Sequence, residues 1–187
     1  MMIVSDLASR PFTVTDLEEM PDDGRRYELI DGELLVSPAP GWAHQEAVHT
    51  LYMILRAACP RDLRVLAAPF AVRMNSLNEL QPDVLVARFA DLTEQNLPRA
   101  PLLAVEVISP SSGLRDRSLK RAVYERMGVP VYWIVDPTRE RPRLTALELE
   151  DVSYREVAAV TGSEVWNATR PFPVQVIPAD LIAGLEP

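Results

Sequence analysis

Three charged residues stand where apolar ones dominate. Glu106 lies inside Leu102-Leu103-Ala104-Val105-Glu106-Val107-Ile108, a run that is apolar on both faces but for that one carboxylate. Such a run reads as a strand at the centre of a sheet covered on both sides. A carboxylate there needs a cation, a metal ion or hydrogen-bond donors, because an isolated buried charge is very costly. A structural salt bridge to an arginine would satisfy it as well as a metal would. Asp83 follows Pro82 and heads a second apolar stretch, Asp83 to Ala87. Read alone, it is a loop residue at a strand entry. Read with Glu106, it gives two acidic residues on neighbouring core strands, an oxygen-donor set that suits one hard divalent cation.

Lys120 is the third. It is the only lysine among 19 basic residues, so surface charge in this chain is supplied by arginine. A position that keeps lysine calls for a compact ammonium. With Asp116 at zero and about 100° per helical residue, Lys120 falls near 40° and Leu119, Val123 and Met127 near 300°, 340° and 20°. Asp116 and Lys120 thus share the apolar, sheet-facing side, while Arg117, Ser118, Arg121 and Glu125 face out. An ordinary solvent-facing i,i+4 ion pair would occupy the outer side instead. His44, at the start of a helix, and the glutamates Glu28 and Glu33 are further candidates. Glu28 and Glu33 differ by five residues and would face opposite sides of a regular strand. Pairing across a turn would bring them together, and the sequence leaves the choice between them open.

The elements that must position these residues follow from the pattern. Thr13 or Thr15 caps a short helix ending near Met20-Pro21. Arg26–Ile30 and Glu33–Val36 flank Asp31-Gly32, a hairpin with the positive φ angles that a two-residue turn needs. A helix from about Trp42 to Ala58 has Ala47, Leu51, Leu55 and Ala58 on one face. Strands are expected over 63–74, with an interruption at Pro69, and over 83–87, 102–108 and 131–135. A polar connection spans 88–100, and Ser109 to Gly113 is a loop. A helix from Leu114 to Met127 stops at Gly128. A peripheral hairpin (144–149 and 152–157) and a short closing helix (178–185) complete the chain. The order predicts an α/β fold, a mixed central sheet flanked by helices.

With 187 residues, 48% of them hydrophobic and 25% charged, the chain suits a single globular domain over 1–187, with its core at about 12–185. No run approaches the ~20 apolar residues of a membrane span. No signal peptide is visible, and cytoplasm is the expected compartment. Cys59, the single cysteine, reads as a small buried hydrophobe and excludes an internal disulfide. Trp133 and Tyr132 read as core, whereas Trp42 and Trp166 have no recognisable context. The net charge of −8 argues against a general nucleic-acid coat. It is uneven, however: residues 1–60 carry 4 Arg against 10 Asp and Glu, and residues 115–143 carry 8 Lys and Arg against 4 Asp and Glu. A local cationic patch on an acidic protein is the consequence.

Taken in order, Pro82-Asp83, Glu106-Val107-Ile108-Ser109-Pro110-Ser111, Asp116-Arg117-Ser118-Leu119-Lys120 and Tyr124 resemble the Uma family of bacterial endonucleases, within the PD-(D/E)XK nuclease superfamily. Tyr27 to Glu33, His44, and Tyr132 to Pro137 are similar to further parts of its signature, so the resemblance covers about residues 12–185. It implies a restriction-endonuclease-like fold and a phosphodiesterase acting on DNA with Mg²⁺ or Mn²⁺. Asp83 and Glu106 would be the metal ligands, and Lys120, Glu33 and His44 would complete the catalytic set. The superfamily pattern places lysine two residues after the acidic residue. Here that position is Ile108, so Lys120 would be a displaced lysine, oriented by Asp116. A homodimer would suit duplex cleavage. Two rival readings remain: a nuclease-fold domain that binds DNA or protein without cutting, and a structural protein whose acidic residues and Lys120 form a buried ion network.

Overall fold

The computed structural model describes residues 2–4, 10–108 and 114–185. In chain order its elements are β1 (Met2–Val4), α1 (Val14–Glu18), β2 (Arg26–Ile30), β3 (Glu33–Ser37), α2 (Trp42–Ala58), β4 (Leu63–Ala67), β5 (Ala71–Asn75), β6 (Asn78–Leu80), β7 (Val84–Arg88) and β8 (Asn96–Leu97). Then come β9 (Leu103–Val107), α3 (Leu114–Met127), β10 (Val131–Asp136), β11 (Arg143–Glu150), β12 (Ser153–Thr161), β13 (Trp166–Ala168), β14 (Val174–Val176) and a 3-10 helix over Pro178–Leu185. Among the described residues the strands form two six-stranded sheets, ordered β1-β3-β2-β6-β5-β8 and β12-β11-β10-β9-β7-β4, and a ribbon of β13 and β14.

The second sheet is mixed. β9 and β10 are parallel and connected through α3, while β10–β11, β11–β12, β7–β9 and β4–β7 are antiparallel. Parallel neighbours require such a crossover because no tight turn can join them. Side chains alternate across this sheet as the pleat dictates. Leu103, Val105 and Val107 of β9 and Val131, Trp133 and Val135 of β10 join Ala47, Val48, Leu51 and Leu55 of α2 in one core cluster. Ala104 and Tyr132 point the other way, into a cluster with Val123 and Tyr124 of α3 and Ile30 and Leu35 of the first sheet. The α/β arrangement of a mixed sheet flanked by helices is therefore present. One face is covered by α2, and the other by α3 together with the hairpin of the first sheet.

Several details differ from the sequence-based expectation. The stretch 63–74 is two strands in different sheets, β4 and β5, with Ala68-Pro69 between them. β6, β8, β13 and β14 are two or three residues long, too short for a period-2 pattern to register. Trp166 on β13 does have a context: its ring packs edge-on against Trp133 at 5.0 Å. Ala58 is exposed at the end of α2, and Cys59 is half-buried against the core rather than enclosed in it. The closing segment is a 3-10 helix. In β12, Glu156 lies opposite Leu147 and Ala158 opposite Ala146, leaving Val157 as an extra residue, a bulge in this edge strand. The loop expected at Ser109 to Gly113 lies outside the described residues.

Asp31 and Gly32 turn the first hairpin with φ of 51° and 79°. A Cβ on Gly32 would meet the Pro11 Cβ at 2.5 Å, and the Gly32 carbonyl accepts the Phe12 N–H at 2.9 Å. Gly24 has a similar φ of 77° but open space around it. Gly32→Ala is expected to lose clearly more than about 1 kcal/mol in urea denaturation, and Gly24→Ala no more than about 1 kcal/mol. Equal losses would show that the contact with Pro11 does not matter.

Candidate active site

Asp83 and Glu106 come from strands that lie side by side. Val84 is opposite Val105 and Leu85 opposite Ala104 in the antiparallel pair of β7 and β9. Continuing that register by one residue sets Asp83 against Glu106. The contact is closed by the chain itself, since the Val107 N–H donates to Asp83 Oδ2 at 2.8 Å.

α3 brings Lys120 onto this pair. Lys120 Nζ is 2.9 Å from Glu28 Oε2 and 3.0 Å from Glu106 Oε2, with side-chain exposures of 7% for Lys120, 1% for Glu28 and 13% for Glu106. Lys120 and Val123 are buried and Ser118 and Arg121 exposed, so α3 presents its lysine to the sheet. One turn on, the Tyr124 hydroxyl donates to Glu106 Oε1 at 2.7 Å. Asp116 lies on α3, but its side chain is outside the described part.

The hairpin and α2 supply the rest. Arg26 Nη1 donates to Asp83 Oδ1 at 2.8 Å and to the Gln81 carbonyl at 3.2 Å. His44 Nε2 donates to Asp83 Oδ2 at 3.1 Å, while its Nδ1 is buried without a hydrogen-bond partner among the described residues. Glu28 Oε1 accepts the Gln81 N–H at 2.9 Å, which fixes the segment leading into Asp83. Glu28 is opposite Leu35 and Ile30 opposite Glu33, so Glu28 and Glu33 share a face of the hairpin. The contact with Lys120 is made by Glu28. Glu33 sits one diagonal step away, and among the described residues no ion pair joins it to the cluster. Arg26 and Gln81 escaped the sequence reading. Nothing in their spacing sets Arg26 apart from the other arginines, and only the cross-strand register brings it to Asp83.

The two adjacent carboxylates are driven apart in pKa. Burial works against the charge on Asp83, but the His44 hydrogen bond and the nearby Arg26 and Lys120 outweigh it and hold the carboxyl down to about 2. Burial dominates at Glu106, and the charges of Asp83 and Glu28 add to it. Lys120 and Tyr124 offset only part, so the carboxyl is pushed up to about 7. Environments that separate two neighbouring acids in this way are typical of catalytic pairs. Hard oxygen donors are the chemistry that Mg²⁺ or Mn²⁺ takes. Among the described residues no three His, Cys, Asp or Glu side chains are set to hold a metal ion. A cation here would rest on Asp83 and Glu106 alone, with water and substrate phosphate completing its shell, a pattern that Mg²⁺ tolerates.

Two outcomes test this geometry. Lys120→Met leaves Glu28 and Glu106 buried without their cation and is expected to lose about 3–5 kcal/mol in urea denaturation. Adding Glu28→Gln and Glu106→Gln to it should regain part of the loss. The second concerns pH. Glu106 has its folded pKa above the ordinary value of 4.5. Its contribution to stability is therefore full below that value and lost as pH rises through about 7. In EDTA, Glu106→Gln should gain in melting temperature on wild type as pH is raised from about 5 to about 8. A constant difference would contradict the raised pKa.

No curated protein matches the chain. Among solved structures, a protein from Anabaena variabilis ATCC 29413, described as a "putative nuclease belonging to DUF820", superimposes with a TM-score of 0.70 at 16% identity, over 94% of this chain and 99% of that one. At that identity the match establishes the fold. The model of the Uma2 family, described as "Putative restriction endonuclease", matches residues 14–180. Spanning nearly the whole chain and every residue of the cluster just described, that match makes this protein a member of the Uma2 family.

Proposed function

We propose that this chain is a metal-dependent endonuclease that hydrolyses phosphodiester bonds in DNA. The observation that carries the reading is the meeting of Asp83, Glu106 and Lys120 from three separate elements at one buried point. Asp83 and Glu106 would hold Mg²⁺ or Mn²⁺, which when bound supplies an acidified water and polarises the scissile phosphate. Lys120 offsets negative charge that develops on the phosphate oxygens, from a position already fixed by two carboxylates. Tyr124 sets the rotation of the Glu106 carboxylate, and the Val107 N–H and His44 set that of Asp83. Arg26 balances the Asp83 charge. Glu33, on the Glu28 face of the hairpin, acts through water as an outer acidic group. The reading includes a cytoplasmic location and two copies sharing a duplex where both strands are cut. Among the described residues no helix is long and apolar enough to cross a membrane.

One observation favours a second reading, a nuclease fold that binds without cutting. Each oxygen of Asp83 and Glu106 already accepts a hydrogen bond from the chain itself. A cation must displace some of these donors before it can bind. The two readings separate in a paired experiment. For the nuclease, supercoiled plasmid is nicked in Mg²⁺ or Mn²⁺ but not in EDTA, and Asp83→Asn and Glu106→Gln are inactive. Metal at about a hundred times its Kd would also stabilise wild type by about 2.7 kcal/mol in thermal melting, and Glu106→Gln would lose this. Absence of both nicking and stabilisation favours the binding domain.

A further inference from the structure

Trp42 is an exposed tryptophan that the fold does not use. It begins α2 and is 62% exposed, whereas Trp133 is fully buried and Trp166 packs against Trp133. The Arg139 guanidinium lies over the Trp42 ring, 4.8 Å from its centroid, and steadies the indole at the surface. Both residues belong to the end of the molecule that holds the cluster. Trp42 precedes His44 by two residues, about 3 Å of helix rise and about 200° of turn. His44 therefore points in to Asp83 while Trp42 points out. Arg139 follows β10, whose Ile134 is paired beside Glu106 on β9. Arg139, Arg141 and Arg143 are all exposed, within the stretch where basic residues outnumber acidic ones 8 to 4.

A chain of net charge −8 cannot hold a polyanion by general attraction. Local features must do it, and an aromatic ring among arginines is the combination that binds single strands. The ring stacks on a base and the guanidinium groups meet the backbone. We propose that Trp42 and Arg139 form a stacking platform for an unpaired base of a single DNA strand led into the site. Inside a duplex the bases cover one another, so the platform selects single-stranded or locally unpaired DNA. This rests on the nuclease reading above. A second pair, the exposed Phe89 with Arg64 at 4.4 Å, lies beyond Arg88, at the end of β7 remote from Asp83, and serves as a control.

The test is the anisotropy of fluorescein-labelled dT12 titrated with the intact protein in EDTA at low salt. Loss of one stacked base is expected to weaken binding about tenfold in Trp42→Ala. Trp42→Tyr should keep most of the affinity, Arg139→Ala should weaken it, and Phe89→Ala should bind as wild type does. Trp42 is exposed, so melting temperatures should be unchanged across the set. Equal binding of dT12 by wild type and Trp42→Ala overturns the platform. If wild type nicks plasmid in metal while that equality holds, the platform alone fails. If wild type neither nicks plasmid nor binds dT12, the nuclease reading fails with it.

Discussion

A lysine ammonium between two buried carboxylates holds together parts of the chain that are far apart in sequence. Glu28 arrives on a hairpin of the first sheet, Glu106 on a central strand of the second, and Lys120 on α3, the helix that joins β9 to β10. None of the three could be buried alone, because each charge removed from water costs several kcal/mol. Together they compensate one another, and the compensation is available only when hairpin, strand and helix are docked. The apolar cluster around Ile30, Leu35, Ala104, Val123 and Tyr124 supplies the docking energy, and the ionic contact fixes its register. The site and the junction of the two sheets are thus one structure.

Asp83 extends the same logic to the other face. Its carboxylate ties Arg26 of the hairpin, His44 of α2 and the backbone of β9. Three acids are served by two permanent cations, and the shortfall falls on Glu106, whose carboxyl is the one pushed upward. An incoming divalent cation would have to displace the proton that burial helps Glu106 to hold. It would also find, at Asp83, a charge already secured.

The parts of the site legible in the sequence were those that violate a local pattern. Glu106 interrupts an apolar strand, and Lys120 lies on the apolar side of a helix whose outer face is rich in charge. These anomalies show in a window of ten residues. The α2 and α3 boundaries and the Asp31-Gly32 turn were legible for the same reason, since caps, periodicity and glycine act locally. What escaped depends on pairing between distant segments. Arg26 meets Asp83 and Glu28 meets Gln81 only because β2 lies beside β6. The choice between Glu28 and Glu33 could not be made from the hairpin, which places both on one face. The division of 63–74 between two sheets and the edge-on packing of Trp166 on Trp133 are likewise settled by tertiary partners that no window contains.

The extra residue at Val157 has an effect beyond the local kink. β12 is one of the two outer strands of the second sheet, nine residues long, and its side left unpaired among the described residues could template another chain. A bulge breaks the even row of N–H and C=O groups that such templating needs, and the exposed charges of Arg155 and Glu156 directly precede it. The strand is thereby guarded against runaway edge-to-edge aggregation. Two copies brought together on one duplex would have to meet through some other face than a continued sheet.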